Sequence, residues 1–164
     1  MKATLLKSVV CFTLVLAGAL NSNVMAADQF VTNDVMSGQQ VASRVIYRHD
    51  GMLYRHMKND FKYDAQGRVV EKETLKWNST KEAWMPYTKI SLTYTSDRVV
   101  MNYARWNAKD QTYTDRQEKN VYEVDAANVP VAYQNYKWND LAGEWKIAED
   151  YRFGTTTSLY AIHD

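Results

Sequence analysis

The stretch Trp77-Asn78-Ser79-Thr80-Lys81-Glu82-Ala83-Trp84 decides the fold. The same pattern returns as Trp106-Asn107-Ala108-Lys109-Asp110-Gln111-Thr112-Tyr113 and as Trp138-Asn139-Asp140-Leu141-Ala142-Gly143-Glu144-Trp145. Each copy is Trp-Asn, five residues, then an aromatic. With Ser79 to Glu82 as the loop of a β-hairpin, Asn78 faces Ala83 and Trp77 stands opposite Trp84. Opposed residues of an antiparallel pair share a face. Each tip is then closed by a cross-strand aromatic pair, contributing roughly 0.5–1 kcal/mol beyond area burial. Four-residue loops are usually built on a type I turn, and Gly143 suits a left-handed position at the loop's end.

A second kind of punctuation alternates with the first. Tyr63-Asp64-Ala65-Gln66-Gly67-Arg68 places an Asp where it can cap backbone amides and a Gly where φ can turn positive. Looser copies stand at Tyr47–Gly51, Tyr94–Val99 and Tyr122–Val129. One set of turns closes one end of a sheet and the Trp-Asn set closes the other, in a repeat of about thirty residues.

The strands fall near Arg44–His49, Met52–Tyr63, Arg68–Trp77, Trp84–Tyr94, Val99–Trp106, Tyr113–Val124, Val129–Trp138 and Trp145–Phe153, with a last strand over Thr155–His163. Asp50-Gly51 signals a two-residue hairpin loop, and Lys58-Asn59-Asp60 is the expected place for a bulge in the long return strand. Period-two alternation supports the strands: Ile90, Leu92 and Tyr94 on one face, Lys89, Ser91 and Thr93 on the other. Residues 27–42 read as an irregular lead-in with at most a short edge strand over Gln29–Thr32. The domain proper spans 43–164. The expected fold is all-β, an antiparallel meander of roughly nine or ten strands, curled into a barrel or a strongly bent sheet. An outer-membrane barrel is disfavoured, because these strands carry Lys, Glu and Arg where a lipid-facing band would be apolar.

The first 26 residues read as a secretory signal peptide. Lys2 and Lys7 form a basic start, Ser8–Leu20 is an apolar run too short for a comfortable membrane span, and Val24-Met25-Ala26 suits cleavage after Ala26. The expected location is periplasmic or extracellular, with no membrane insertion after cleavage. The single cysteine, Cys11, lies inside the apolar run and leaves with it. The mature chain then uses no disulfide, and its stability rests on packing and hydrogen bonds. Of 20 Lys and Arg and 19 Asp and Glu, removal of Lys2 and Lys7 leaves 18 basic against 19 acidic residues. That balance argues against nucleic acid and against an anionic membrane surface. Twelve tyrosines and five tryptophans stand among few leucines, so aromatic rings must supply much of the packing.

A cleaved signal, a mature chain without cysteine, Tyr-Asp-x-x-Gly turns and Trp-Asn-x5-Trp hairpins together resemble a domain-of-unknown-function family of small secreted proteins from Bacteroides-type bacteria. The resemblance covers most of Ser43–Phe153 and implies no activity or site. Tyr63–Val70 alone also resembles the Tyr-Asp repeat of large bacterial shell-forming proteins. The other copies depart from it, which makes shared turn chemistry the simpler account.

No motif for a nucleophile, metal, phosphate or dinucleotide occurs. His49, His56 and Asp60 match no metal-ligand spacing and read as strand surface residues. Glu71, Glu73, Glu118, Glu123, Glu149 and Asp150 include pairs that could in principle cleave a glycosidic bond. Alternating with Lys and Arg on strands, they read more simply as cross-strand charge pairs. Asn78-Ser79-Thr80 matches a eukaryotic glycosylation sequon, which is uninformative beside the bacterial resemblance. No catalytic residue, metal or cofactor is expected. Two functional readings stay open. In the first, the chain is a noncatalytic structural or protein-interaction domain, and Trp77, Trp84, Trp106, Tyr113, Trp138 and Trp145 are hairpin clasps. In the second, the same rings form an exposed platform for a glycan or another small ligand. Exposed, stacked tryptophans around a groove favour the platform; tryptophans paired and covered at hairpin tips favour the clasp.

Overall fold

The computed structural model describes residues 29–153, apart from the side chains of residues 115 and 116. The expected signal peptide and the strand expected over Thr155–His163 lie outside the described residues. Nine strands follow one another: β1 (Phe30–Ser37), β2 (Gln40–Asp50), β3 (Met52–Tyr63), β4 (Val69–Asn78), β5 (Ala83–Tyr94), β6 (Arg98–Asn107), β7 (Thr112–Val124), β8 (Pro130–Asn139) and β9 (Glu144–Arg152). They form one antiparallel sheet in the order of the chain. From β4 to β9 the strands begin and end within one residue of the positions read from the sequence.

The start of the chain differs from that reading. β1 runs well past the short edge strand expected over Gln29–Thr32, and β2, which carries the strand read over Arg44–His49, begins at Gln40 inside the expected lead-in. Their pairing is fastened by a two-pronged ion pair, Arg44 Nε to Asp34 Oδ1 at 2.7 Å and Arg44 Nη2 to Asp34 Oδ2 at 2.8 Å. The Arg44 guanidinium holds the Asp34 carboxyl below the ordinary carboxylate range. At the next turn Asp50 pairs with Met52, and Gly51 alone makes the connection at φ 73°. His49 therefore faces Leu53 rather than Met52. The register shift in this hairpin leaves His56 as the extra residue, not Lys58-Asn59-Asp60. His56 packs its ring 5.3 Å from that of Phe30, and Asp60 pairs with Lys58 at 2.9 Å.

The sheet also stays open. Among the described residues β1 and β9 each have one neighbour, and every substantial contact joins strands adjacent in sequence. The sheet is neither closed into a barrel nor strongly bent. Charge on both faces explains this. The registers put Arg44, Lys72, Arg105, Glu118 and Lys137 on one face, and Lys62, Glu71, Glu73, Lys89 and Lys119 on the other. Whichever face turned inward on closure would bury ionised groups at a cost of several kcal/mol each.

The first face is the better covered. A row of rings crosses it, with Tyr122 5.0 Å from Tyr133 and Tyr133 6.2 Å from Tyr151. Leu92 and Val99 are buried beside them. Under these rings lies a polar ladder: Asn120 and Asn135 are only 3% and 5% exposed. Asn135 Nδ2 donates to Asn120 Oδ1 at 2.7 Å and to Glu118 Oε1 at 2.9 Å. The Tyr133 hydroxyl donates to Asn120 Oδ1 at 2.8 Å, and Asn120 Nδ2 donates to Glu118 Oε1 at 3.2 Å. The mutual pairing is what lets amides sit there, since a buried donor without an acceptor costs about 1–3 kcal/mol.

The two prolines fall where the ladder is already irregular. Pro86 pairs with Leu75 and Pro130 with Val124, each beside a register shift. A missing N–H is tolerated at such places.

Candidate functional site

The three Trp-Asn copies form three hairpin tips whose loops are residues 79–82, 108–111 and 140–143. In each, the Asn side chain stands in for a backbone acceptor. Asn78 Oδ1 takes the Lys81 N–H at 2.9 Å. Asn107 Oδ1 takes the Lys109 N–H at 3.0 Å, and Asn139 Oδ1 takes those of Leu141 and Ala142 at 3.0 and 3.1 Å. Asn is the right residue because its short amide reaches two or three residues onward. The last loop position is left-handed in all three copies: Glu82 at φ 49°, Gln111 at φ 50° and Gly143 at φ 66°. Two copies thus carry the strain of a side chain at positive φ where the third uses glycine.

Behind each loop stands the aromatic pair. Trp77 opposes Trp84, Trp106 opposes Tyr113, and Trp138 opposes Trp145. The ring centroids are 5.1, 5.0 and 5.4 Å apart, and the planes are close to perpendicular at 67°, 70° and 74°. The edge of one ring meets the face of the other, the arrangement the ring quadrupole favours. All six rings are half-buried.

Alternation along the strands puts the three pairs on one face at one end of the sheet. Cations from that face cover several of the rings. The Arg55 guanidinium lies 4.6 Å from the Trp77 centroid. The Lys89 ammonium lies 4.6 Å from Tyr113, and that of Lys119 lies 4.5 Å from Tyr136 and 4.9 Å from Trp145. The Tyr113 hydroxyl donates to Glu73 Oε1 at 2.6 Å, joining β7 to β4 across two intervening strands. Burial and the Glu73 carboxylate push that hydroxyl well above the ordinary tyrosine range, so it remains a donor at any physiological pH. The arrangement is a clasp: ring on ring, cation on ring, loop capped from within.

The opposite end repeats its own chemistry. Asp64 Oδ1 takes the N–H groups of Gln66 and Arg68 at 3.0 and 2.9 Å, and Asp125 Oδ1 takes those of Ala127 and Val129 at 2.8 and 2.9 Å. Gly67 at φ 78° and Asn128 at φ 60° fill the same left-handed position. The Tyr94 hydroxyl is pushed up to about 12 by burial.

All six aromatic residues picked from the sequence are brought into this arrangement as three pairs. The cations over them, Arg55, Lys89 and Lys119, were missed. They stand on neighbouring hairpins, and only the register between hairpins reveals them. The carboxylates divide. Glu71 pairs with Lys62 at 2.7 Å, as a cross-strand charge pair should. Glu73, Glu118 and Asp150 instead accept hydrogen bonds from Tyr113, from Asn120 and Asn135, and from Gln134. Glu123 stands opposite Arg98 and Glu149 opposite Asn135.

Residues 1–124 match the model of a family of unknown function, DUF3836. The chain is similar to the crystal structure of a protein of unknown function from Bacteroides fragilis, at 26% identity and a TM-score of 0.70, over 76% of this chain and 92% of that one. A DUF3836 protein from Bacteroides vulgatus is 31% identical with a TM-score of 0.53, over 60% of this chain and all of that one. A third, from Parabacteroides distasonis, shares the fold at 22% identity and a TM-score of 0.51 over 60% of this chain and 92% of that one. No curated protein matches the chain.

Proposed function

The chain belongs to the DUF3836 family of unknown function, and from that premise we propose that it is an exported, noncatalytic structural or protein-interaction domain. One observation carries the reading. A sugar stacks on an aromatic ring only through an open ring face. Here Trp77, Tyr113 and Trp145 each meet a perpendicular partner ring and also carry a cation within 5 Å of the centroid. Half-buried contacts of this kind stabilise by roughly 0.5–1 kcal/mol each. They support a rigid scaffold whose edges and outer faces meet other proteins.

Intrinsic tryptophan fluorescence of the protein, titrated with soluble oligosaccharides and plant or host polysaccharides, tests this. No saturable change is expected. A saturable shift that disappears when Trp77 or Trp145 is replaced would favour the glycan platform instead.

Export is part of the proposal, supported by Lys2, Lys7, the apolar run Ser8–Leu20 and Ala26. Mass spectrometry of protein purified from its producing cells should find an amino terminus at Ala27 or one residue later. Extracytoplasmic protein that still begins at Met1 would overturn it.

A further inference from the structure

Among the described residues β1 pairs only with β2, so its other edge presents unpaired backbone N–H and C=O groups. Natural sheets protect such edges with charge, proline or a bulge in the edge strand. At the other end of the nine strands, β9 has that protection. It carries Glu144, Lys146, Glu149, Asp150 and Arg152, and its register shift leaves Ala148 as an extra residue in the strand itself. β1 has none of it. Its one ionisable residue, Asp34, is neutralised from within the sheet by Arg44. Its register shift puts the extra residue, Ala42, in β2 and leaves β1 continuous. Val31, Val35 and Met36 are 46%, 53% and 53% exposed.

The sequence of β1, Phe30-Val31-Thr32-Asn33-Asp34-Val35-Met36-Ser37, is matched to itself in reverse. Two copies related by a two-fold axis through Asn33, perpendicular to the sheet, pair antiparallel. Val31 then meets Val35 of the second copy, Phe30 meets Met36, Thr32 meets Asp34, and Asn33 meets Asn33. Every pair joins residues of like parity, so each lies on one face of the joined sheet. Apolar meets apolar, and the Thr32 hydroxyl is offered to the Asp34 carboxylate. Moving the axis to Asp34 sets two carboxylates against each other. Moving it to Thr32 sets Asp34 against Phe30 and Val31 against Asn33. An axis between residues pairs opposite faces, which the pleat forbids.

We propose that β1 is a self-pairing edge, through which two copies of this chain join into one continuous sheet with Asn33 at the two-fold axis. The proposal deepens the interaction-domain reading and rests on it only in assigning a partner to the sheet. The contact is an isologous one, in which each copy supplies the same strand.

Sedimentation velocity of the protein over a range of concentrations tests it, together with Asn33→Lys, Asn33→Glu and their equimolar mixture. Asn33 is exposed, so thermal melts should show both variants folded as the parent. The parent should show a concentration-dependent dimer. Each variant alone sets like charges face to face and should weaken association by at least about ten-fold, and the mixture should restore it. In a Cys11→Ser background, Asn33→Cys should form a disulfide dimer under mild oxidation. Thr32→Cys should not, because its two copies lie two residues apart along the strands, beyond disulfide reach. A parent that stays monomeric at several hundred micromolar, or a dimer indifferent to Asn33→Lys, overturns the self-pairing edge. Neither result touches the scaffold reading, which falls only to saturable glycan binding.

Discussion

Alanine at Trp77 should lower the stability of the protein by roughly 1–3 kcal/mol, a melting-temperature drop of several degrees for a domain of this size. The ring is half-buried, so the loss falls below that of a core tryptophan. It combines the perpendicular contact with Trp84 at 5.1 Å and the Arg55 cation at 4.6 Å. Trp145→Ala should behave alike, because Trp138 and Lys119 occupy the corresponding places at the third tip. Thermal unfolding of each variant, paired with the oligosaccharide titration, separates the two readings of these rings. An unchanged melting temperature together with abolished ligand binding would sink the clasp.

The second large effect is expected on the other face. Asn120→Ala removes the acceptor for both the Tyr133 hydroxyl and one Asn135 donation, and takes one donor from Glu118. Two donors are left without partners where Asn135 is only 5% exposed. The cost should be about 2–3 kcal/mol, more than the net value of a single hydrogen bond. Asn135→Ala removes the other half of the same ladder. The two losses should therefore not add. Urea unfolding of both single variants and the double variant should give a coupling energy of at least about 0.5 kcal/mol. Additivity within error would mean that the amides act independently and that the ladder is not a unit.

What the sequence disclosed was what is local to a hairpin. Trp-Asn-x5-aromatic contains its own loop, its own cap and both members of its ring pair, so the register followed from counting. The Asp64 and Asp125 turns are self-contained in the same way. What stayed hidden depends on more distant partners. The turn between β1 and β2 lacks aromatic punctuation, and the fastening of the pair is Asp34 with Arg44, two polar residues ten positions apart. The cations over the clasps come from other hairpins. Asn120 and Asn135 stand in polar surroundings in the sequence, beside Lys119 and Gln134, yet they lie buried against each other across β7 and β8. Closure was misjudged because strand number argues for curling. The charge on both faces, apparent only once each strand's register was placed, argues against it.

Substantial contacts that join only strands adjacent in sequence have a kinetic consequence. All-β chains usually fold slowly, because their strands must wait for distant segments. Here each strand finds its partner across a short turn, so little loop entropy is spent before pairing is rewarded. The sheet behaves as a one-dimensional array of hairpins, each stabilised by its own closure and by its two neighbours. Order can begin at any clasped tip and spread in both directions, and it is lost first from the outermost strands. The repeated tips thus give the chain several equivalent places to start.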